Sequence, residues 1–377
     1  MEVTYSIGSK FAGVGIGNTA YHAVRGIYRH DCLKRLFCLD YAETEIDKRK
    51  IENVKPAYFT SLPLRAINRF ISRDFNHYWY TNCLYDFLVS KKLDGCEIFH
   101  GWNNHSLRSS RRAKELGAIT IIERASSHPL TQDKLLQDEY KKFDIKKNKN
   151  IFLKRSCNEL EECSYITVPS DFVKESFLER DFSEEKLIKI PFGVDIGKYK
   201  PIKKENDKFI VLFVGQIMLR KGVQYLLKAW EELNLKNAEL RICGASSPEF
   251  KNIIEKYRNR NSIKFLGFVS SVEEEFKNAD IFCFPSIEEG SALVTYEAMA
   301  AGLPLITTYN SGSVARDGKD GFVISIRDVK IIKDKIQYFY NNVEEIKRMG
   351  RNARKQVENY SWERYGDELV KAYEEIR

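Results

Sequence analysis

The sequence predicts an α/β protein built from two domains, each with a parallel sheet flanked by helices. Two segments start a strand–helix pattern: the β-rich run Val3 to Ile7, and a continuous apolar run, Phe209 to Val214, past the middle of the chain. After each start, short apolar runs alternate with amphipathic helical stretches, as in parallel α/β sheets. A chain of 377 residues is also too long for one ordinary core and suits two domains.

The first half carries a glycine-bearing loop after its first predicted strand. Gly13, Gly15 and Gly17 precede a helical pattern that starts near Asn18, a suitable N-cap residue. The later predicted strands of this half are the runs EIFHGW, AITIIER, YITVPS and LIKIPFG. Their alternation with helical stretches predicts one parallel sheet for this half of the chain.

The second half repeats this arrangement. Phe209 to Val214 is apolar throughout, which is typical of a parallel strand buried on both faces. Gly215 ends that strand, a helix starts near Gly222, and the later predicted strands are AELRICG, SIKFLGF, ADIFCFPS and LPLITT. The segment GVDIGKYKPIKKENDK lacks apolar periodicity and predicts a linker. We therefore expect domains at residues 1–195 and 196–358, followed by a terminal helix at 359–377.

Composition predicts a soluble globular protein, with 43% hydrophobic and 30% charged residues. No apolar run reaches the length of about 18 residues that a membrane span needs, and the N-terminus lacks the basic and apolar regions of a signal peptide. We therefore expect a cytoplasmic protein. The eight cysteines form no CxxC pair and lie at no metal-ligand spacing from a histidine. This pattern predicts reduced thiols rather than a disulfide framework or a zinc site.

The formal net charge is +8, and two basic stretches contribute to it, Leu62 to Tyr80 and Lys141 to Arg155. Such stretches can attract phosphates, nucleic acid or anionic lipid surfaces. A solvated basic surface is the commoner explanation, so peripheral contact with the inner membrane surface is left open.

Two constellations follow strands in the second half, and ligands of open parallel sheets bind outside the carboxyl ends of strands. In the first, Arg220 and Lys221 stand at the start of a helix. The free N–H groups and partial positive charge of a helix start, joined by a cationic side chain, suit a diphosphate. A plain surface pair of cations is the alternative.

The second constellation is PSIEEGSALVTYEAMAAGLPLI, in which a predicted helix runs from about Ala292 to Ala301. Glu289 precedes this helix and Glu297 lies in its second turn. Eight helical residues would separate them by roughly 12 Å, about the length of a hexose joined to a phosphate. The alternatives are pairing with the helix dipole for Glu289 and an ordinary helix surface for Glu297. However, the small and apolar residues after Glu297 favour a buried helix, where a carboxylate usually has a partner.

This stretch resembles the E-x7-E signature of retaining glycosyltransferases of the GT-B fold, the family-4 members of the glycosyl transferases group 1. Other segments match that family in order and spacing. They are YITVPSDFVKESF, IPFGVDIGKYKP, FVGQIMLRKGVQYLLKAW, AELRICG, IKFLGFV, ADIFCFPS and SGSVARDGKDGFVI. The resemblance is dense from about Glu161 to the end of the chain. It implies two Rossmann-like domains facing across a cleft, with a terminal helix that crosses back to the first domain.

The resemblance also implies roles for individual residues. Glu297 would accept hydrogen bonds from the ribose of a nucleotide sugar, and Glu289 would contact the donor sugar. Lys221 would bind the diphosphate and stabilise its charge as it departs, without a metal. The remaining donor-binding candidates are the backbone of Gly290, Ser291, Ala292 and Leu293, the strand-ending Gly215, and Gly15 or Gly17 of the first domain.

The sequence departs from the family pattern at two places. The usual arginine one position after the strand-ending glycine is Gln216 here, and Arg220 is the candidate replacement. Ser291 and Ala292 replace a common aromatic–glycine pair, which leaves the donor sugar open. On the acceptor side, His128 is the best match to a histidine that often lines the family's reaction centre. His100, Trp102 and His105 follow the strand before it.

From these observations we expect a retaining glycosyltransferase that moves a hexose-type sugar from a nucleoside diphosphate, most commonly uridine diphosphate, to a hydroxyl of a glycan or lipid-linked glycan. Cell-surface polysaccharide synthesis is the expected setting, with no cofactor, no metal and no nucleic acid partner. The alternatives are a nucleotide-sugar epimerase or phosphorylase on the same fold, or a non-enzymatic binding protein that uses the basic first half.

Overall fold

The computed structural model describes residues 1–59, 76–201, 207–269 and 271–377. Two parallel sheets form within these residues, one in each half of the chain, so the predicted two-sheet α/β architecture is confirmed. The predicted boundary between residues 195 and 196 falls after the last strand of the first sheet and before the first strand of the second. Most of the basic stretch Leu62 to Tyr80 lies outside the described residues.

The first sheet has the strand order β3-β2-β1-β4-β5-β6-β7. Its strands are β1 (Val3–Phe11), β2 (Leu33–Tyr41), β3 (Ile51–Asn53), β4 (Ile98–Trp102), β5 (Ile119–Glu123), β6 (Tyr165–Val168) and β7 (Leu187–Lys189). The helices of this half are α1 (Ile16–Arg29), α2 (His77–Lys92), α3 (Leu107–Glu115), α4 (Pro129–Lys142), α5 (Leu153–Glu162) and α6 (Asp171–Leu178). Helix α1 begins two residues earlier than the sequence predicts, so Gly17 is helical and only Gly13 and Gly15 belong to the loop.

The second sheet has the order β10-β9-β8-β11-β12-β13. Its strands are β8 (Phe209–Val214), β9 (Ala238–Cys243), β10 (Ile263–Gly267), β11 (Ile281–Phe284), β12 (Leu305–Thr308) and β13 (Gly321–Ile324). The helices are α7 (Val223–Glu232), α8 (Lys251–Glu255), α9 (Glu273–Asn278), α10 (Leu293–Ala300), α11 (Val329–Asn341), α12 (Val343–Val357) and α13 (Trp362–Glu375).

The strand order of each sheet reverses beside its first strand, between β1 and β4 in one sheet and between β8 and β11 in the other. Connections leave such a pair of neighbouring strands in opposite directions, which opens a crevice at their carboxyl ends. Each sheet therefore offers one preferred place for a ligand. In the second sheet this place lies between the loops that carry the two predicted constellations.

Helix α13 crosses back and packs against α1 of the first half, as the resemblance implies. A Cβ on Gly26 of α1 would overlap the backbone of Gly366, so the two helices meet at paired glycines. The Trp362 ring stacks on His22 at 4.1 Å, and the Tyr365 hydroxyl donates to Glu123 Oε1 at 3.2 Å. The chain end therefore braces the first sheet.

The eight cysteines, all of which lie in the described part of the chain, are free thiols, as predicted. Over the same ranges of residues, no helix is both long enough and apolar enough to cross a bilayer.

Candidate functional site

The loops after β8 and β11 meet because these two strands are neighbours in the sheet. Gly222 at the start of α7 has a φ of +70°, and a Cβ there would overlap the carbonyl oxygen of Pro285. Only glycine permits this backbone conformation at this close approach without strain. The Ile287 N–H donates to the Arg220 carbonyl at 2.8 Å, so the two loops are also hydrogen-bonded.

Lys221 and Glu289, from these two loops, form an ion pair between Lys221 Nζ and Glu289 Oε1. The lysine side chain is 18% exposed and the glutamate side chain 10%. The Ser286 hydroxyl also donates to Glu289 Oε1, at 3.2 Å. The structure therefore brings together a cation and a carboxylate that the sequence places 68 residues apart.

Arg220 is occupied by carboxylates. Its Nε donates to the Glu288 carbonyl at 2.8 Å and lies 2.9 Å from Glu288 Oε2, while NH2 lies 3.6 Å from Glu289 Oε2. Its predicted use as a second cation for a diphosphate would require the guanidinium to share or exchange these partners. That role stays a prediction.

Glu297 lies in the second turn of α10, beside the linker and the start of α9. Its carboxylate accepts a hydrogen bond from the Tyr199 hydroxyl, and Lys198 and Glu273 are the charged groups nearby. Burial raises the pKa of Glu297, although the Tyr199 hydrogen bond and Lys198 oppose that rise. The ordinary helix surface weighed from the sequence is therefore ruled out, because this carboxylate is partly buried and partnered.

The amino end of α10 is covered by protein. The Gly290 backbone packs against the Ala125 carbonyl of the first half so closely that a Cβ would overlap it. The Ala292 N–H donates to the Ser311 carbonyl at 2.9 Å, the Ser291 hydroxyl donates to the Gly312 carbonyl at 2.8 Å, and Leu293 packs against the core of the first sheet.

The resemblance implies that the backbone from Gly290 to Leu293 faces a ligand, and of its N–H groups the contacts above involve only that of Ala292. That expectation is wrong for the Ala292 N–H group, which is already used within the loop. Helix α10 also begins at Leu293, one residue later than predicted.

The candidate glycines Gly15, Gly17 and Gly215 differ in how far their backbone is exposed. Gly15 lies at the start of α1, is exposed, and has no heavy atom within 4 Å of the position a Cβ would take. A Cβ on Gly17 would overlap the Lys10 carbonyl, so Gly17 serves the packing of α1 against β1. Gly215 is half-buried beside the ring of Phe284. Of the two first-domain glycines, Gly15 is therefore the one whose backbone is open to a ligand.

His128 has a structural role in this arrangement. It caps α4, with its Nδ1 accepting the Leu130 N–H at 3.3 Å, and its ring packs against Phe177 and Phe182. Burial, followed by Arg180 and Arg124, lowers the pKa of His128 to about 4. The side chain is thus a neutral cap inside the first half, and its catalytic role stays a prediction.

Trp102 and His100, which the sequence places on the acceptor side, lie in the interior of the first half. Trp102 is buried and donates from Nε1 to the Tyr5 hydroxyl at 2.7 Å. His100 is fully buried as well and is bonded through Nδ1 to the Tyr373 hydroxyl of α13 at 2.6 Å. Both side chains therefore stabilise the first sheet and its contact with the terminal helix.

His105 instead lines a cavity of about 540 Å³ at the carboxyl ends of β1 and β2. Asn82 lines it too; this residue is 7% exposed, and no hydrogen bond of its side-chain amide occurs among the described residues. Ser9 and Lys10 from β1 and Asp40 from β2 complete a polar wall, with Lys10 Nζ and Asp40 Oδ2 4.0 Å apart. The cavity also includes Ile16, the residue after Gly15.

Sequence reasoning missed Asn82, Tyr199 and Glu288. Asn82 lies in a helical stretch without a motif, and Tyr199 lies in the predicted linker. Glu288 carries a usable signal, because it stands between apolar Ile287 and the signature acid Glu289. Across the described ranges, no group of three or more His, Cys, Asp or Glu side chains is arranged to hold a metal ion.

Comparison with known proteins adds family information for the second half of the chain. Residues 196–356 match the family model Glycosyl transferases group 1. The chain is 26% identical over 230 residues to the putative glycosyltransferase EpsD of Bacillus subtilis, which covers 56% of this chain and 60% of EpsD. It is 30% identical over 176 residues to the capsular polysaccharide biosynthesis glycosyltransferase CapM of Staphylococcus aureus, which covers 45% of this chain and 46% of CapM. The chain thus matches less than two thirds of the length of either relative.

Solved structures match over the whole chain. Sucrose-phosphate synthase from Thermosynechococcus elongatus superposes with a TM-score of 0.73 at 16% identity, covering 100% of this chain and 98% of that one. Anabaena HepE in complex with UDP and glucose superposes with a TM-score of 0.67 at 13% identity, covering 100% of both chains. At these identities the likeness shows the fold, which is the two-domain GT-B fold.

Proposed function

We propose that this chain is a retaining glycosyltransferase, because residues 196–356 match the family model Glycosyl transferases group 1. It moves a hexose-type sugar from a nucleoside diphosphate to a hydroxyl of a glycan or lipid-linked glycan. The observation that carries the proposal is the pairing of Lys221 with Glu289 at the crevice between β8 and β11. An ammonium and a carboxylate held together there suit the diphosphate and the sugar hydroxyls of one donor.

Each of the proposed site residues contacts a different part of the nucleotide-sugar donor. Glu297 accepts hydrogen bonds from the ribose hydroxyls with the lone pairs that Tyr199 leaves unused. Lys221 exchanges part of its contact with Glu289 for the diphosphate and stabilises the charge that develops as the nucleoside diphosphate departs. Glu289, released in part from Lys221, accepts hydrogen bonds from the sugar. Gly15 lets the first-domain backbone approach the phosphates when the domains close.

Uridine diphosphate is the proposed donor carrier. HepE, which has the same fold, is described in complexes with UDP-glucose and with UDP and glucose. The relatives include the polysaccharide enzyme CapM, which supports a role in the synthesis of cell-surface polysaccharide. Retention of configuration at the anomeric carbon is proposed from the E-x7-E pattern formed by Glu289 and Glu297.

The acceptor is proposed to bind in the first-domain cavity. The Asn82 amide offers two donors and one acceptor in a nearly buried position. Burial and Arg155 lower the pKa of His105 to about 3, so the ring is neutral; because Nδ1 accepts the Gly8 N–H, Nε2 carries the proton and can donate. Lys10 and Asp40 balance one another in charge. Such a wall suits the hydroxyls of a neutral sugar better than a phosphate.

A nucleotide panel tests the proposal. Purified protein is heated with the diphosphates of uridine, guanosine and adenosine and with their glucose, galactose, N-acetylglucosamine and mannose derivatives. A nucleotide present at 100 times its Kd stabilises the folded state by about 2.7 kcal/mol, which corresponds to a rise in Tm of about 5–10 °C for domains of this size.

Product analysis separates the proposal from its rivals. Release of nucleoside diphosphate together with a new glycoside, or with free sugar when water is the acceptor, supports transfer. An epimerised nucleotide sugar would identify the alternative enzyme on this fold. If none of the nucleotides shifts Tm, the proposal fails.

A further inference from the structure

Glu288 is a buried acid that is not part of the proposed donor site or the proposed acceptor site. Its side chain is fully buried, and both carboxylate oxygens are occupied. Oε1 accepts the Ser127 N–H at 2.9 Å and the Ser127 hydroxyl at 2.8 Å. Oε2 accepts the Gln132 side-chain N–H at 2.9 Å and lies 2.9 Å from Arg220 Nε. Glu288 thus bonds the loop after β11 to the segment after β5.

The first-half partners of Glu288 are themselves held in place. Arg124 is 7% exposed and donates from Nε and NH2 to the Ser127 carbonyl, at 3.0 and 2.8 Å. Its NH2 also donates to Gln132 Oε1 at 3.0 Å. One buried guanidinium therefore presents both the Ser127 and Gln132 donors to Glu288.

In the second half, Glu288 is linked through Arg220 to the pair Lys221 and Glu289, which we call the catalytic pair. Arg220, which binds Glu288, also reaches toward Glu289. Glu288 and Glu289 are consecutive, so a shift of one backbone moves the other. The orientation of Glu289 toward Lys221 therefore depends on where Glu288 is held.

We propose that Glu288 is a positioning residue of the transfer reaction: its hydrogen bonds to Ser127 and Gln132 clasp the first domain onto the loop that carries Glu289. The inference rests on the proposed function. The clasp forms when the two halves approach and is lost when they separate to admit the donor. It thus couples domain closure to the alignment of Glu289 and Lys221, where misplacement by about 1 Å can cost about a hundredfold in rate.

The burial of Glu288 supports this coupling. A carboxylate that is buried away from water stays ionised only when both of its oxygens are hydrogen-bonded. Removal of its partners leaves an unpaired buried charge, which destabilises the structure. Burial by itself raises the pKa of Glu288, but Arg220 and the bonds from Gln132 and Ser127 outweigh that effect and lower it overall. Glu288 is therefore charged at neutral pH, with Arg220 as its partner in its own half and Ser127 and Gln132 as its partners in the other half.

The first test changes only the first half. The double variant Ser127→Ala with Gln132→Ala removes two side-chain donors and leaves the Glu288–Arg220 pair intact. Its matched control is Ser126→Ala with Gln137→Ala, on the same two segments. In that control Gln137 is exposed and bonds only Asp133 within the described ranges. The measurement is steady-state hydrolysis of UDP-glucose, followed as UDP release without an acceptor, together with Tm.

We expect the double variant to lower kcat about tenfold to a hundredfold while KM for the donor stays within about twofold, and the control to match the wild type. A merely structural contact would lower Tm and leave kcat unchanged, and that result would overturn the proposal. A rise in KM at constant kcat would overturn it too.

A second measurement does not depend on turnover. Hydrogen–deuterium exchange of the Ser127 amide should be at least about tenfold faster in Glu288→Ala than in the wild type, because alanine removes both oxygens that accept the first-half donors. Equal exchange rates would contradict the clasp. A wild type that neither binds nor hydrolyses any nucleotide sugar refutes the proposed function instead, and the exchange result then still decides whether the clasp exists.

Discussion

Replacement of Glu297 by glutamine separates a ligand-binding role from a structural one. Glutamine has almost the same shape and keeps an oxygen that can accept the Tyr199 hydroxyl, but it has no charge. If Glu297 serves only the fold, this change should matter little to ligands. If it holds a ribose, nucleotide affinity should fall while the fold is unharmed.

The expected size of the affinity loss follows from the hydrogen bonds removed. A hydrogen bond to a charged group contributes about 1.5–3 kcal/mol, so loss of the carboxylate should raise Kd for UDP about tenfold to a hundredfold. The expected change in stability has the opposite sign. Burial raises the pKa of Glu297, so the ionised carboxylate lowers the free energy of unfolding of the wild type. The variant has no such charge.

The stability difference between Glu297→Gln and the wild type should depend on pH. A carboxyl group with a raised pKa in the folded state binds its proton more tightly there than in the unfolded chain, so its ionisation weakens the fold as pH rises through that pKa. Glu297→Gln should therefore be at least as stable as the wild type at pH 7, and its relative advantage should shrink towards pH 4, where both side chains are neutral.

Isothermal titration calorimetry with UDP measures the first quantity and urea unfolding the second. Glu344→Gln is the control, because Glu344 is an exposed residue in the first turn of α12, far along the chain from the crevice loops. Wild-type affinity in Glu297→Gln, or a marked loss of its stability without loss of affinity, would refute the assignment of Glu297 to the nucleotide.

Further predictions concern the catalytic pair, the terminal helix and acid stability. Lys221→Ala should lower kcat about a hundredfold to a thousandfold and weaken nucleotide binding, Glu289→Ala should act mainly on kcat, and the exposed Lys228→Ala should do neither in UDP-release assays. Gly366→Ala should lower the free energy of unfolding by about 1–3 kcal/mol, because its Cβ must push α13 away from α1; urea unfolding with an unchanged midpoint would contradict this contact. Burial and Arg155 lower the pKa of His105 to about 3, so the unfolded chain binds this proton first as pH falls below about 6.5; about 2 kcal/mol of stability should be lost between pH 7 and 5, and His105→Asn should flatten that slope.

The fold was predictable because its signals are local. Continuous apolar runs such as Ile210 to Phe213 are fully buried in the structure, and the glycine after each first strand marks the turn into a helix. The boundaries of α1 and α10 were missed by one or two residues, because Gly17 and Ala292 carry no local signal that outweighs packing.

The candidate site was predictable only in part. The sequence shows the spacing between Glu289 and Glu297 and the position of Lys221. It does not show which groups these side chains contact. Arg220 pairs with two carboxylates, and the His128 ring packs against Phe177 and Phe182 while its Nδ1 caps α4. Neither set of contacts could be predicted from the sequence, because both depend on segments that lie tens to hundreds of residues apart in the chain.

The sequence by itself determined the two parallel sheets and the order of strands and helices, because apolar periodicity and glycine act over a few residues. Only the tertiary structure decided which charges meet. The reversal of strand order places the β8 and β11 loops side by side, and the approach of the two halves buries Glu288 against Ser127 and Gln132. Electrostatic and hydrogen-bonding partners are chosen by distance in space, and that distance exists only once the sheets have formed and packed.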